Sequence, residues 1–313
     1  MDVLYKGVAF GGKISVTVIE ATELVNEAIK IHSLSPLAAA ALGRTLIAGA
    51  FMSSTLKSDD DRLSVTLNGD GVGGHIVVAG NANLEIRGYI DNPQCSLPLN
   101  DKGKLDVAGC VGKGRLTVVR SMGLKEPYTG SCRIESGEIA EDFARYYTFS
   151  EQQPTGMALG VKIGVDYKCV GAGGVILQPM PDADDEAITK AENLLSKVSN
   201  FSSIIETEGA DKFVKDNLKD YVFEKRTPVY KCLCSKEYID SMLLTLGEKE
   251  LNETLEKEGK IEVICHFCNK KYEYSKPDID ELLALAKSSV DASVCDSDAA
   301  EGKKDEKTDG DNK

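Results

Sequence analysis

The sequence contains no tryptophan and is poor in aromatic and basic residues. Aromatic residues make up 6% of the 313 residues, and 37 Lys and Arg face 50 Asp and Glu, which gives a net charge of −13 at pH 7. Nucleic-acid affinity depends mainly on Lys and Arg that neutralise phosphates, and single strands are held by aromatic rings that stack on bases. The composition therefore disfavours a nucleic-acid partner.

The motifs of common enzyme active sites are also missing. No Ser/His/Asp set, nucleophile elbow or Walker loop is present. His32 and His75 are isolated near the ends of predicted elements, and Glu151 and Asp166 are too scattered to act as a catalytic carboxylate pair. We therefore predict that the protein is not an enzyme and that both histidines are surface or core residues.

The N-terminus has no basic segment followed by an apolar one, so the sequence predicts no export signal. We expect a cytoplasmic, reducing location. In such a compartment, nine cysteines are more often metal ligands, redox sensors or free thiols than a disulfide framework.

One long apolar run, Pro36–Leu56, could be either a membrane-spanning helix or a buried core helix. Arg44 interrupts it, its residues are small, and no aromatic belt flanks it. Ser35 followed by Pro36 is a typical helix start, as is Thr22 for the preceding helix. The run therefore predicts a core helix, and we expect no membrane association.

Short alternating runs separated by turn residues follow from Arg62 to Thr148 and predict a meandering antiparallel sheet. Gly69–Gly74 matches the glycine pattern of dinucleotide sites, but a predicted strand follows where phosphate binding needs a helix, so a hairpin turn is the better interpretation. Further strands are predicted over Leu159–Tyr167 and Gly174–Gln178, with a tight turn at Gly171–Gly174.

Residues 182–228 predict an amphipathic helical connector. Apolar residues recur at helical spacing from Ile188 to Ile205, and Ala210–Phe223 forms a second segment of the same type. This connector has no core of its own, so it must either pack its apolar side chains on the N-terminal domain or expose them.

Four of the nine cysteines form two close pairs separated by thirty residues: Cys232, Cys234, Cys265 and Cys268. Four thiolates in this arrangement are typical of a tetrahedral zinc site, and we predict one Zn²⁺ per chain. His266 could replace one of these ligands, although four thiolates already complete the site. The module is too small to fold without such a metal.

The remaining cysteines show no regular spacing. Cys95, Cys110, Cys132 and Cys169 are predicted to be small buried hydrophobic residues. Cys295 lies in a C-terminal segment without aromatic residues, where an exposed thiol could cross-link chains.

The predicted fold class is α+β: a mainly antiparallel sheet domain packed with long core helices, a helical connector and a small C-terminal Cys₄ zinc module. The predicted boundaries are 1–181 for the N-terminal domain, 182–228 for the linker, 229–287 for the zinc module and 288–313 for a disordered acidic tail.

The cysteine pattern resembles the redox switch of the 33 kDa chaperonin family of heat-shock chaperones. Three other segments resemble that family's signatures in the same order: Ser35–Leu46, Ser150–Val161 and Gly173–Pro181. The resemblance covers roughly residues 1 to 290.

This resemblance implies an ATP-independent holdase of the bacterial cytoplasm that is inactive while reduced and zinc-bound. Oxidants would form the disulfides Cys232–Cys234 and Cys265–Cys268, expel zinc and unfold the module and connector. The exposed surface would then bind unfolding client proteins, with dimerisation. The resemblance also implies that Cys232, Cys234, Cys265 and Cys268 are the zinc ligands.

Three other functions remain open on the residues alone. The four cysteines could form a purely structural zinc ribbon, a ribbon associated with nucleic acid, or a thiol oxidoreductase site. The short Cys232–Cys234 pair favours a redox role, because a disulfide within it would close a small strained ring, and strained disulfides are labile.

Overall fold

The computed structural model describes residues 1–123, 125–218 and 221–286. The chain divides into two compact units, Met1–Cys232 and Leu233–Lys313. The predicted acidic tail and Cys295 lie outside the described residues.

The first unit alternates strands and helices. Its elements are β1 (Val3–Ala9), β2 (Ile14–Glu20), α1 (Thr22–His32), α2 (Pro36–Ser53), β3 (Arg62–Gly69), β4 (His75–Asn81), β5 (Glu85–Ile90), α3 (Val107–Val111), β6 (Gly114–Ser121), β7 (Tyr128–Ile134), α4 (Ile139–Phe149), β8 (Gly156–Ile163), β9 (Cys169–Pro179), α5 (Asp185–Lys197), α6 (Phe201–Asn217), β10 (Phe223–Arg226) and β11 (Val229–Tyr230).

These strands form two sheets. The five-stranded sheet has the order β10-β1-β2-β9-β8, and the six-stranded sheet has the order β11-β5-β4-β3-β6-β7. Every pairing is antiparallel except that of β11 with β5. The mixed α+β class with mainly antiparallel sheets is confirmed.

Helix α2 forms the centre of the first unit, because it contacts strands of both sheets. Ser35 caps it, with Oγ accepting a hydrogen bond from the Ala38 N–H at 3.2 Å, and Pro36 is its first residue, as predicted. It is long and apolar enough to cross a membrane, but 89% of that apolar window is buried in the fold. The prediction of a buried core helix is confirmed.

The start of α1 differs from the prediction. Thr22 does not cap the helix but is its first residue, and its hydroxyl accepts a hydrogen bond from the Ala172 N–H on β9. Asp2 takes the capping role instead, accepting from the Glu23 and Leu24 N–H groups at 2.9 and 2.7 Å. Burial raises the pKa of this carboxyl to about 6, although both hydrogen bonds act in the opposite direction.

The tight turn predicted at Gly171–Gly174 is wrong. These residues lie inside β9, and the turn that joins β8 to β9 covers residues 164–168 instead. The glycines are needed for close packing, since a Cβ on Gly171 would lie 2.2 Å from the Ser202 carbonyl of α6 and one on Gly173 would lie 2.3 Å from the Ile19 carbonyl of β2. Glycine therefore marks a close backbone approach here.

The variant Gly171→Ala tests this packing. We expect it to push α6 off β9 and to lower the free energy of unfolding of the first unit by about 1–3 kcal/mol, the usual cost of overpacking. Urea denaturation followed by far-UV circular dichroism measures the loss. Gly156→Ala on β8 is the matched control, because the nearest atom to its Cβ would be the flexible end of Leu195, at 3.0 Å, and the nearest backbone atom, the Leu177 carbonyl oxygen, would be at an ordinary contact distance of 3.9 Å. Equal losses of unfolding free energy in both variants would contradict the conclusion that close packing of α6 on β9 requires glycine at position 171.

The connector helices α5 and α6 cover the face of the five-stranded sheet opposite α2. Their buried apolar residues form one cluster with the sheet residues Val16, Val18, Val175 and Leu177. Of the two outcomes predicted for the connector, the structure therefore shows packing on the N-terminal domain.

The second connector segment is shorter than predicted. Helix α6 ends at Asn217, and Phe223 begins β10 on the outer edge of β1. Within α6 the chain bends at Gly209, whose φ of +74° suits glycine, and the next N–H, that of Ala210, donates to the Glu20 carboxylate at 2.8 Å.

The second unit contains α7 (Lys236–Leu246), α8 (Glu248–Glu258), β12 (Ile261–Ile264), β13 (Lys271–Tyr274) and α9 (276–286). Over residues 233–286 its core contains nine buried side chains: Ile239, Leu243, Leu251, Leu255, Ile261, Tyr272, Tyr274, Ile279 and Leu283. A core of this size rarely supplies more than about 3–5 kcal/mol, so the unit needs an additional stabilising element.

Candidate metal centre

The short strand β11 positions the first cysteine of the candidate site. Val229 and Tyr230 pair with Glu85 and Ile86 of β5. The Lys231 N–H donates to the Ile86 carbonyl at 2.9 Å, so the chain is held to this sheet up to the residue before Cys232.

Tyr230 anchors β11 through its side chain. Its hydroxyl donates to the Gly88 carbonyl at 2.8 Å and lies 3.1 Å from Nε2 of His32, which is buried at the end of α1. The prediction that His32 and His75 are core or surface residues is consistent with these surroundings, since His75 is half-exposed and pairs with Asp91 at 2.6 Å.

The other three cysteines lie at the ends of regular elements. Cys234 immediately precedes Ser235, whose side chain caps α7 by accepting from the Tyr238 N–H at 3.2 Å. Cys265 and Cys268 lie in the turn between β12 and β13. That turn is closed by a hydrogen bond from the Cys265 N–H to the Lys270 carbonyl at 3.0 Å and by a second from the Cys268 N–H to the Cys265 carbonyl at 3.3 Å.

The structure brings the four predicted cysteines together. The sulfur atoms of Cys232, Cys234, Cys265 and Cys268 all lie within 4.8 Å of one another, and those of Cys234 and Cys268 are 3.4 Å apart. Zn–S bonds of roughly 2.3 Å in a tetrahedron would place the sulfurs about 3.8 Å apart. The cluster could therefore hold a metal ion, and four sulfur ligands suit zinc.

His266, the alternative ligand considered from the sequence, is not part of this cluster. All four cysteines are partly buried. The arrangement therefore combines a set of four thiol ligands with residues that are not fully enclosed by the fold.

Sequence reasoning missed one contact at the site. The Tyr272 hydroxyl, on β13, donates a hydrogen bond to the Cys234 sulfur at 3.3 Å, and this contact raises the tyrosine pKa. Tyr272 comes four residues after Cys268 in the sequence. The β12–β13 hairpin brings its side chain back to the first cysteine pair, and the spacing of the residues does not reveal this contact.

We predict that Tyr272→Phe makes the sulfurs more reactive towards peroxide. A hydrogen bond reduces the electron density available on a thiolate, and loss of an outer-shell partner typically costs 10–100-fold in metal affinity. The expected result is metal release at least about twofold faster under peroxide, measured with a colorimetric zinc indicator. Tyr238→Phe on exposed α7 is the control, since its ring is 60% exposed. Unchanged release kinetics in Tyr272→Phe would show that the hydroxyl does not tune the sulfur.

Known proteins are similar to this chain over most of its length. The profile of the Hsp33 protein family matches residues 2–275. A 33 kDa chaperonin of Clostridium perfringens strain SM101 is 42% identical over 301 residues, covering 92% of this chain and 93% of that protein. A 33 kDa chaperonin of Clostridium botulinum strain 657 is 41% identical over 293 residues, covering 90% and 97%. The crystal structure of the 33 kDa chaperonin (heat shock protein 33 homologue) of Thermotoga maritima superposes with a TM-score of 0.81 at 35% identity, covering 91% of this chain and 99% of its own.

Proposed function

Since the chain belongs to the Hsp33 protein family, we propose that it is a redox-regulated, ATP-independent holdase that binds unfolding proteins under oxidative and heat stress. The observation that supports this most directly is the cluster of four sulfurs, three of which belong to a unit whose described residues bury nine core side chains. Folding of that unit would depend on ligands that are themselves oxidisable.

In the reduced protein, Cys232, Cys234, Cys265 and Cys268 would hold one zinc ion. A bound zinc ion would keep the four sulfurs as thiolates at neutral pH. A thiolate attacks the peroxide O–O bond, becomes a sulfenic acid and releases water once the leaving hydroxide is protonated. A neighbouring thiolate then attacks that sulfur and displaces the hydroxyl group as water, which leaves one disulfide.

The pairing expected in this proposal is Cys232–Cys234 and Cys265–Cys268. Four sulfurs consumed in two disulfides no longer serve as metal ligands, so the second unit would lose its main source of stability. The connector itself is held by contacts within the first unit: the cluster beneath α5 and α6, and the short strands β10 and β11.

Release of α5 and α6 would expose two matching apolar surfaces. One is the face of the sheet around Val16 and Leu177, and the other is the helix face that carries Phe201 and Phe213. Unfolding clients present apolar side chains of the same kind, so they would compete with the connector for the sheet. This holdase works in the cytoplasm, dimerises on activation and performs no catalytic reaction of its own; neither nucleic acid nor a membrane is its partner.

The test measures metal release and chaperone activity on the same sample. Peroxide with mild heat should release about one zinc per chain and switch on suppression of aggregation of a thermally unfolding client protein. The double variant Cys265→Ser, Cys268→Ser should suppress aggregation without oxidant. Equal suppression by the reduced, zinc-loaded protein would refute redox control. Zinc retention with no gain of activity would indicate a structural zinc ribbon instead.

A further inference from the structure

A second pair of thiols lies in the first unit, away from the cluster of four. The sulfurs of Cys95 and Cys110 are 3.6 Å apart, although the residues are fifteen positions apart in the chain. Both side chains are buried, with 3% and 0% exposure, and both are free thiols. The sequence interpretation of these two residues as unrelated small hydrophobic side chains therefore needs revision.

The two sulfurs are held together by well-packed surroundings. Cys110 lies on α3, which begins at the capping residue Asp106, and its sulfur fills the space over Gly73, where a Cβ would lie 2.8 Å from it. Cys95 is fixed from the other side, because its carbonyl accepts a hydrogen bond from the Ser35 hydroxyl at 2.6 Å. A disulfide needs about 2.05 Å between sulfurs, so the two must approach by roughly 1.5 Å.

The hydrogen bond between the thiols makes them unequal. Either thiol can donate the S–H; when Cys110 donates, the hydrogen bond lowers the pKa of Cys95 and raises that of Cys110. A lowered pKa increases the thiolate fraction of the accepting sulfur, and the thiolate is the form that attacks an oxidant. Cys132 and Cys169 are different, because burial raises their pKa to about 11 and about 12.

The loop that carries Cys95 can admit a small oxidant. Residues 91–106 contain no helix or strand, and Leu99 within them is 60% exposed. Opening of this loop around Cys95 would break local contacts, among them the hydrogen bonds from the Cys95 N–H to Asn92 and from the Ser35 N–H to Pro93, without unfolding the whole unit. Hydrogen peroxide, which is little larger than water, can reach Cys95 in such an opening.

We propose that Cys95 and Cys110 form a second oxidation site, an intramolecular disulfide within the first unit. The Cys95 thiolate attacks hydrogen peroxide and becomes a sulfenic acid, with the leaving hydroxide protonated to water. The Cys110 sulfur then attacks the Cys95 sulfur, its proton leaves with the displaced hydroxyl as a second water, and the S–S bond forms. Two thiols lose two electrons in total, and one peroxide is reduced.

This bond has the opposite structural effect to oxidation of the four-cysteine cluster. It joins α3 to the loop that contacts the start of α2, where the Ser35 N–H also donates to the Pro93 carbonyl at 2.8 Å. A cross-link over fifteen positions restricts the unfolded chain and so stabilises the fold. Oxidation would thus strengthen the first unit, and this holds whether or not the second unit acts as a switch.

The experiment maps thiols in the full-length, reduced, zinc-loaded protein after peroxide treatment. Free thiols are blocked with N-ethylmaleimide in denaturant and the unreduced protein is digested with trypsin. Cleavage after Arg87, Lys102, Lys104 and Lys113 places the two cysteines in separate peptides, 88–102 and 105–113. We expect a linked pair of these peptides, while Cys132 and Cys169 remain blocked by the reagent.

A second measurement tests the effect on stability. Near-UV circular dichroism of the buried tyrosines should show oxidised wild type unfolding about 5 °C above oxidised Cys110→Ala. Reduced wild type and reduced Cys110→Ala are the control, because any difference between them is the cost of losing a buried sulfur and not the effect of the cross-link. The proposal is overturned if Cys95 and Cys110 are both found modified by N-ethylmaleimide, if either is found joined to another cysteine, or if both are oxidised to sulfinic acids. Because mapping uses wild type, a poorly folding variant does not prevent the decision.

Discussion

Removing the metal from the reduced protein should unfold the second unit and leave the first one folded. Binding at a cysteine-rich zinc site contributes about 10–16 kcal/mol, whereas a core of nine buried side chains supplies only a few. Chelation should therefore abolish the helical signal of α7 and α8 in far-UV circular dichroism. Hydrogen exchange should show loss of protection over residues 236–274.

The variant Cys268→Ser separates this effect from non-specific action of the chelator. It should show the same loss of protection with metal supplied in excess, because one ligand is missing and the serine hydroxyl binds zinc poorly. Cys132→Ala, which removes a thiol outside the cluster, should retain protection. Persistence of α7 and α8 in the metal-free protein would show that the nine side chains suffice, and the proposed control by oxidation would lose its physical basis.

The second large effect is expected from Phe201→Ala at the start of α6. Phe201 is 1% exposed and packs edge to face on Phe213, with ring centroids 5.1 Å apart. Truncating a buried phenylalanine costs about 3–5 kcal/mol, so this variant removes a large part of the packing between α6 and the sheet. We expect α5 and α6 to detach, with faster hydrogen exchange over residues 185–217.

If the proposed function is correct, Phe201→Ala should also suppress client aggregation under fully reducing conditions with zinc still bound. Val222→Ala is the control, since this connector residue is 91% exposed and its truncation removes no packing. Faster exchange without chaperone activity would mean that the connector does not cover the client-binding surface. Unchanged exchange would mean that other contacts hold α6 in place.

The sequence predicts well those features that depend on near neighbours. Ser35 and Pro36 fix the start of α2 because capping and the fixed φ of proline act within one turn. Alternation predicts β3 to β7 because one face of each strand is buried. The metal centre was predictable for a similar reason, since each cysteine pair already has the spacing that places two sulfurs together.

Features that depend on distant parts of the chain were missed. Asp2 caps a helix that begins twenty residues later, and the glycines of β9 make room for α6, whereas locally they resemble a turn. Strands β1, β10 and β11 have no counterpart among the predicted elements. The Cys95–Cys110 contact and the Tyr272 hydrogen bond exist only because tertiary packing joins separate segments.

The position of β10 has a consequence for the kind of client that could be bound. Strand β1 pairs with β2 on one side, and among the residues that the structure describes its other side is paired with β10 alone, from Leu4 opposite Arg226 to Gly7 opposite Phe223. Departure of the connector would uncover a row of unpaired backbone N–H and C=O groups beside an apolar sheet face. An extended segment of any sequence can add to such an edge as a new strand, because main-chain hydrogen bonds do not depend on side-chain identity.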